Sequence, residues 1–326
     1  MKQNYFGFLV IASLLFVQTT FAQQKASTTD SLKTWLTFLA SDDMRGRDNG
    51  TAEIEKAAQW IAKKYETYGL KPIAGLQGFF QPYTLQDDSS FVHKNVVGYI
   101  PAKKKKNNTG AYIVVSAHFD GIGVSPYAVN GDSIYNGADD NASGTVALLA
   151  IAKNLHEHNI KPEIPIVFAA FSNEETGLIG SSTFCQSGVV PLQNMKLNIN
   201  LEMLGHSEEF GRSTFYITGP GYSNFQDIVI DFNKTKGWEI AKVGSIANSY
   251  FFMSDNYSFV ECAYNAAMCV PAHTILTSKN SGGHLHELSD EVQYIDFEGY
   301  SYMVAHLTQL LLHVTKNDVE IQCNKK

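Results

Sequence analysis

From Ile113 onward the chain alternates continuous apolar runs of strand length with amphipathic stretches of helical length. Ile113–His118, Ile164–Phe171, Asn198–Met203, Thr214–Thr218 and His273–Leu276 read as strands. Ala142–His156, Asn224–Lys236 and Phe297–Thr315 read as the intervening helices. Runs with no polar alternation must be buried on both faces, which predicts a mixed, mostly parallel α/β sheet flanked by helices on both faces. Upstream, Ser31–Ala40 and Ala52–Tyr68 have helical spacing, the second with Ile54, Ala57, Ala58, Ile61 and Tyr65 on one stripe and Gly69 as its stop. With 326 residues, 44% of them hydrophobic, and no internal repeat or linker, one large domain is the expectation.

The ends of these runs carry chemistry. Ala117-His118-Phe119-Asp120, Asp139-Asp140-Asn141, Asn173-Glu174-Glu175, Asn200-Leu201-Glu202 and His284-Leu285-His286 each close or follow an apolar stretch. In open α/β sheets, ligands collect beyond the carboxyl ends of strands, so residues distant in sequence can converge there. Singly, each signal has an ordinary explanation. A histidine after a strand can be structural, Glu174-Glu175 can be a helix-start charge pair, and Asp139-Asp140 can cap the helix that follows. Glu202 is harder to dismiss, because a carboxylate ending a buried strand needs a partner or an ion. Together His118, Asp140, Glu175, Glu202 and His286 supply two imidazoles and three carboxylates, a set suited to a pair of divalent ions sharing one carboxylate. Two Zn2+ are expected, with Mn2+ or Co2+ as substitutes. Glu174 is then free to carry protons, and Asp120 is placed to orient His118 from behind.

Composition excludes other classes. The formal net charge is -7, and only Lys103–Lys106 forms a basic run, next to a turn-like Asn-Asn-Thr-Gly. It reads as a solvated turn, so nucleic acid is not an expected partner. No Gly-x-Ser-x-Gly elbow, Walker motif or dinucleotide fingerprint occurs, and no cysteine sits among the ligand motifs.

The first residues predict export. Lys2 precedes the apolar stretch Phe6–Val17, and Thr20-Phe21-Ala22 offers small residues for cleavage. The stretch is shorter than the roughly 20 apolar residues of a membrane span. A signal peptide over 1–22, a catalytic domain over 23–326 and a periplasmic or extracellular location follow, with no membrane association after cleavage. Export permits disulfides. Cys262 and Cys269 are close enough to close a small loop, while Cys185 reads as a buried small hydrophobe.

Taken together, these motifs resemble the co-catalytic di-zinc aminopeptidases of the bacterial leucyl aminopeptidase type, whose superfamily includes glutamate carboxypeptidases and glutaminyl cyclases. The resemblance runs from Leu39–Arg47, similar to an amino-terminal signature, through Gly137–Gly144 and Glu174–Ser181, to His286 followed four residues later by Asp290. It implies a zinc-exopeptidase-like fold and peptide substrates with a free N-terminus. It also implies Asp140 as the bridge, Glu175 and His286 on one ion, His118 and Glu202 on the other, Glu174 as general base and Asp120 behind His118. Asp255 resembles a residue near the substrate side. The family's usual residue at Glu202 is Asp, and His284 is an additional histidine beside the last ligand. Glutaminyl cyclases, the nearest alternative, usually carry Trp where this chain has Leu285. A binding protein that has lost catalysis is the other alternative, and such relatives typically lose ligands that this chain keeps. Tyr222, Tyr250, Phe251, Phe252 and Tyr257 are candidates for a specificity wall or for packing.

Overall fold

The computed structural model describes residues 29–87, 89–103 and 110–324. The predicted signal peptide over 1–22 and most of the lysine run lie outside these residues. The described residues open with a helix at 29–39 (α1) and a tight 3-10 segment at Asp42–Arg47, followed by α2 (Ala52–Thr67). Thr51 caps α2 by accepting the Ile54 N–H. The strands are β1 (Phe80–Tyr83), β2 (His93–Ile100), β3 (Tyr112–His118), β4 (Gly123–Val129), β5 (Asp132–Tyr135), β6 (Ile166–Phe171), β7 (Met195–Leu201), β8 (Thr214–Ile217), β9 (Glu239–Ile240) and β10 (Ala272–Leu276). Between and after them run α3 (Gly144–Glu157), α4 (Ile179–Gln186), α5 (Phe225–Asn233), α6 (Ser245–Met253), α7 (Asn256–Asn265) and α8 (Phe297–Val314).

Eight strands form one sheet in the order β1-β2-β6-β3-β7-β10-β8-β9, and β4 and β5 form a separate hairpin. The central neighbours β6, β3, β7 and β10 pair in parallel, while β1, β2 and β8 pair antiparallel toward the two edges. The mixed, mostly parallel sheet expected from the sequence is therefore present. The predicted strands and helices recur with ends shifted by a few residues. Periodicity did not reveal β1, β2, the hairpin, α4, α6 or α7, whose apolar residues are too few or too interrupted.

Side chains alternate across the sheet as strand geometry demands. Ile113, Val115 and Ala117 of β3 face a core shared with α2, α3 and α8. Val114 faces the other way, onto a cluster with Phe184 of α4 and Phe259 of α7. Helices cover both faces. The interior helix α3 is buried nearly all round, and its first residue must be glycine, because a Cβ on Gly144 would lie 2.2 Å from the Leu201 carbonyl oxygen. This close approach seats the Asp140 turn against the end of β7.

The cysteine expectation is corrected. Cys269 bridges to Cys323, across 54 residues, and Cys262 is free. Cys262 lies in α7, whereas Cys269 follows that helix and meets the chain's last segment. Proximity in sequence was the wrong guide because the helix carries Cys262 toward α4 instead. Cys185 is buried, as expected. Among the described residues, no helix is long and apolar enough to cross a membrane.

Candidate metal centre

The candidate ligands converge beyond the carboxyl ends of the central strands. His118 is the last residue of β3, Glu174 and Glu175 follow β6, and Glu202 follows β7. The Asp140 turn leads into α3, and His286 sits on the loop between β10 and α8. Asp140 stands between the two histidines: its Oδ1 is 3.3 Å from His118 Nε2 and its Oδ2 is 3.2 Å from His286 Nε2. Glu175 Oε2 lies 3.3 Å from the same His286 nitrogen. One carboxylate thus addresses two imidazoles from segments far apart in the chain, and the side chains of Asp140, Glu175 and His286 form one compact group of donors.

The second half is looser. Glu202 Oε1 and Glu174 Oε2 are each 3.9 Å from His118 Nε2. Glu202 accepts hydrogen bonds from Ser254 Oγ (2.6 Å) and Asn200 Nδ2 (3.2 Å). Asn200 belongs to a buried polar ladder that links Ser116 of β3, Asn198 and Asn200 of β7, and Thr274 of β10. These side chains break the apolar runs of three strands and lead to Glu202. A buried carboxylate at that position is held by hydrogen bonds.

Asp120 is completely buried, with Oδ1 3.6 Å from His118 Nδ1, a separation longer than an ordinary hydrogen bond. Its firm contacts are elsewhere. It accepts the backbone N–H groups of Glu174 (3.2 Å) and Glu175 (3.3 Å) and the amide of Asn49 (2.7 Å). Asp120 therefore positions the glutamate pair as well as standing behind the histidine. Arg47, which the sequence offered only as part of a signature, is fully buried. Its guanidinium donates to the carbonyls of Phe119, Leu39, Asn136 and Gly137 at 2.6–2.9 Å. That clamp ties the segment of His118 and Asp120 to the turn before Asp140. Asn173, Met203 and His286 hold left-handed backbone conformations (φ 58°, 47° and 57°). Such strain gathers at sites fixed by their surroundings.

The electrostatics reflect crowded carboxylates. Burial and the neighbouring acids Glu202, Asp255 and Glu175 push Glu174 well above the usual carboxylate range, although His118 opposes them. Burial raises Glu202 to about 8. Hydrogen bonds to Asp140 and Glu175 raise His286 to about 10. For His118, burial works downward, but Glu174, Asp120 and Asp140 outweigh it and hold the imidazole well above its ordinary value. Asp140 goes the other way: burial works upward, but hydrogen bonds and charge from His118 and His286 outweigh it and hold the carboxyl below the usual carboxylate range.

The remaining candidates separate. His284 donates or accepts at Ser289 Oγ (2.8 Å) and stacks on Tyr294, so it is engaged away from the ligands. Asp255 is fully buried beneath the site, and its two carboxylate oxygens have no hydrogen-bond partner among the described residues; burial lifts it to about 7. Tyr250, Phe252 and Tyr257 line a cavity of about 520 Å³ that also contains His118, Asp140, Glu174, Glu175, Glu202 and His286. Phe251 and Tyr222 pack on each other instead, with ring centroids 5.2 Å apart.

The donor set fits zinc. It is nitrogen and oxygen only, and Glu175 Oε1 and His118 Nδ1 are buried without a protein hydrogen-bond partner among the described residues. His118, Glu174 and Glu175 form one group of donors that could hold an ion and Asp140, Glu175 and His286 another, with Glu202 facing His118 at 3.9 Å.

The sequence pattern of peptidase family M28 matches residues 95–311, most of the sheet and all the candidate ligands. The chain belongs to peptidase family M28. Aminopeptidase YwaD of Bacillus subtilis (strain 168) is 34% identical over 138 residues, 42% of this M28 chain and 28% of YwaD. The chain therefore spans little more than a quarter of that relative's length. The structure of BSAP, a zinc aminopeptidase from Bacillus subtilis, superposes with TM-score 0.67 at 17% identity, over 89% of this M28 chain and 96% of that one. A glutaminyl cyclase from Porphyromonas gingivalis superposes with TM-score 0.61 at 18% identity, over 87% and 97%. Both likenesses are of fold.

Proposed function

We propose that this chain is an exported, zinc-dependent aminopeptidase that removes residues from the free amino terminus of peptides. The observation that supports it most is Asp140, whose two oxygens each face a different histidine, with Glu174 beside them in an open cavity. Two divalent ions there would polarise the scissile carbonyl and acidify water. Glu174 would take the proton from that water and return it to the leaving amine. Its backbone N–H is held by Asp120, so the base has a fixed approach. Tyr250, Phe252, Tyr257, Met203 and Leu285 give the cavity an apolar wall suited to an amino-terminal side chain. The Cys269–Cys323 bridge and the predicted signal peptide support export to a periplasmic or extracellular location.

A second reading, glutaminyl-peptide cyclisation, draws on the compact Asp140–Glu175–His286 group, which alone could hold a single ion. Leu285 in place of the tryptophan usual in cyclases argues for the peptidase. The deciding experiment measures the metal content of the purified protein. It then follows Leu-p-nitroanilide hydrolysis and a peptide-library digest by mass spectrometry, before and after chelation. Amino-terminal trimming lost on chelation is expected. Trimming from the carboxyl terminus, or turnover of Gln-naphthylamide to a pyroglutamyl product, would overturn the aminopeptidase reading.

A further inference from the structure

Cys185 and Cys262 belong neither to the metal centre nor to the Cys269–Cys323 bridge. They lie on α4 and α7, two helices in contact through small residues. Ser181 Oγ of α4 and Ser258 Oγ of α7 touch at 2.8 Å, and both are buried. Cys185 follows Ser181 by four residues and Cys262 follows Ser258 by four. Four residues is one helical turn, so each thiol occupies the next position along the face that carries its serine. Each thiol is shifted chiefly by the other, Cys185 upward and Cys262 downward. Cys262 packs against the apolar cluster that contains Cys185, Phe184 and Phe259, whose rings are 6.0 Å apart.

We propose that Cys185 and Cys262 are a disulfide-forming dithiol, closed by a small-molecule disulfide into a bridge that staples α4 to α7. The half-buried Cys262 is the thiol a reagent can reach, and the hydrogen bond from Cys185 draws it below its ordinary value against burial and Glu261. As thiolate it attacks one sulfur of oxidised glutathione, forming a mixed disulfide and releasing one glutathione thiolate. Cys185 then gives up its proton and attacks the Cys262 sulfur, releasing the second glutathione. Two protein thiols are oxidised, one glutathione disulfide is reduced, and both thiol protons end on the two glutathione molecules. The bridge would join two walls of the cavity, since Ser182 of α4 and Tyr257, Ser258 and Glu261 of α7 line it.

The test incubates the purified, metal-loaded protein with reduced or oxidised glutathione and maps peptides by mass spectrometry without reduction. After oxidation, a linked Cys185–Cys262 peptide is expected beside the Cys269–Cys323 peptide, with both thiols recovered under dithiothreitol. In Cys185→Ser, which keeps size and polarity, glutathione should remain attached to Cys262 because no second thiol displaces it. Two thiols that still react with maleimide on denaturation, or a lasting glutathione adduct on wild-type Cys262 equal to that in the variant, would overturn the proposal.

Discussion

Asp290 accepts the backbone N–H groups of both Asp139 and Asp140, at 2.8 and 2.9 Å, so the loop that carries His286 also holds the turn that carries the shared carboxylate. Asp290 supplies no ligand, yet it couples the two pieces of the centre. Asp290→Ala should lower zinc affinity by about 10–100-fold with all five candidate ligands intact, as loss of a supporting partner does. Competition with a chromogenic chelator checks this, and wild-type affinity would show that the turn holds itself.

Asp140→Asn replaces one shared oxygen with a poor donor. Occupancy of both ions should fall together in elemental analysis of the dialysed protein, because each histidine faces one of the two Asp140 oxygens. Loss of a single equivalent would mean that the carboxylate does not bridge.

Glu174 and Glu202 are equally distant from His118 Nε2, so their roles must be separated by experiment. Glu174→Gln should retain zinc and lose about 10²–10⁴-fold in kcat, the usual contribution of a general base. If zinc content drops with it, Glu174 is a ligand and the base lies elsewhere.

Arg47→Met should destabilise the protein by about 3 kcal/mol or more, since it removes the guanidinium donor from four buried carbonyls, of which Gly137 keeps the Ala142 N–H. Urea unfolding measures this. A loss below 1 kcal/mol (roughly the scale of an ordinary surface substitution) would mean that the clamp is redundant.

Two buried histidines away from the centre set an acid limit on stability. His273 is fixed between the Ser223 hydroxyl (2.6 Å) and the Thr218 carbonyl (2.7 Å), and burial lowers it to about 4. Burial and Lys236 lower His306, stacked on Trp238, to about 3. Each takes up a proton in the unfolded chain near pH 6.5 but not in the folded one. Their contribution is therefore complete above pH 6.5 and is lost as pH falls toward 4 and 3, on the order of 3 kcal/mol for each by pH 4. His306→Phe should flatten the decline of Tm between pH 6.5 and 4. An unchanged slope would remove His306 from the account.

The alternation of strands and helices was legible because it is written in local spacing. Ile113–His118 and Ile164–Phe171 are mainly apolar without strict polar alternation, which marks them as interior. The candidate ligand positions stood out for a related reason, since a charged residue ending such a run cannot be left unpaired. Membership of peptidase family M28 was legible through motifs, as the match over residues 95–311 bears out.

What the sequence determined by itself was the core strands, the longer helices and a list of candidate donors, because hydrophobic period and side-chain chemistry act over a few neighbouring residues. The tertiary structure alone decided the strand order, the clamp of Arg47 and the grip of Ser254 and Asn200 on Glu202. It also chose Cys323 over Cys262 as the partner of Cys269. Each of these depends on which distant segments the packed sheet brings together, and contacts of that kind leave no periodic trace along the chain.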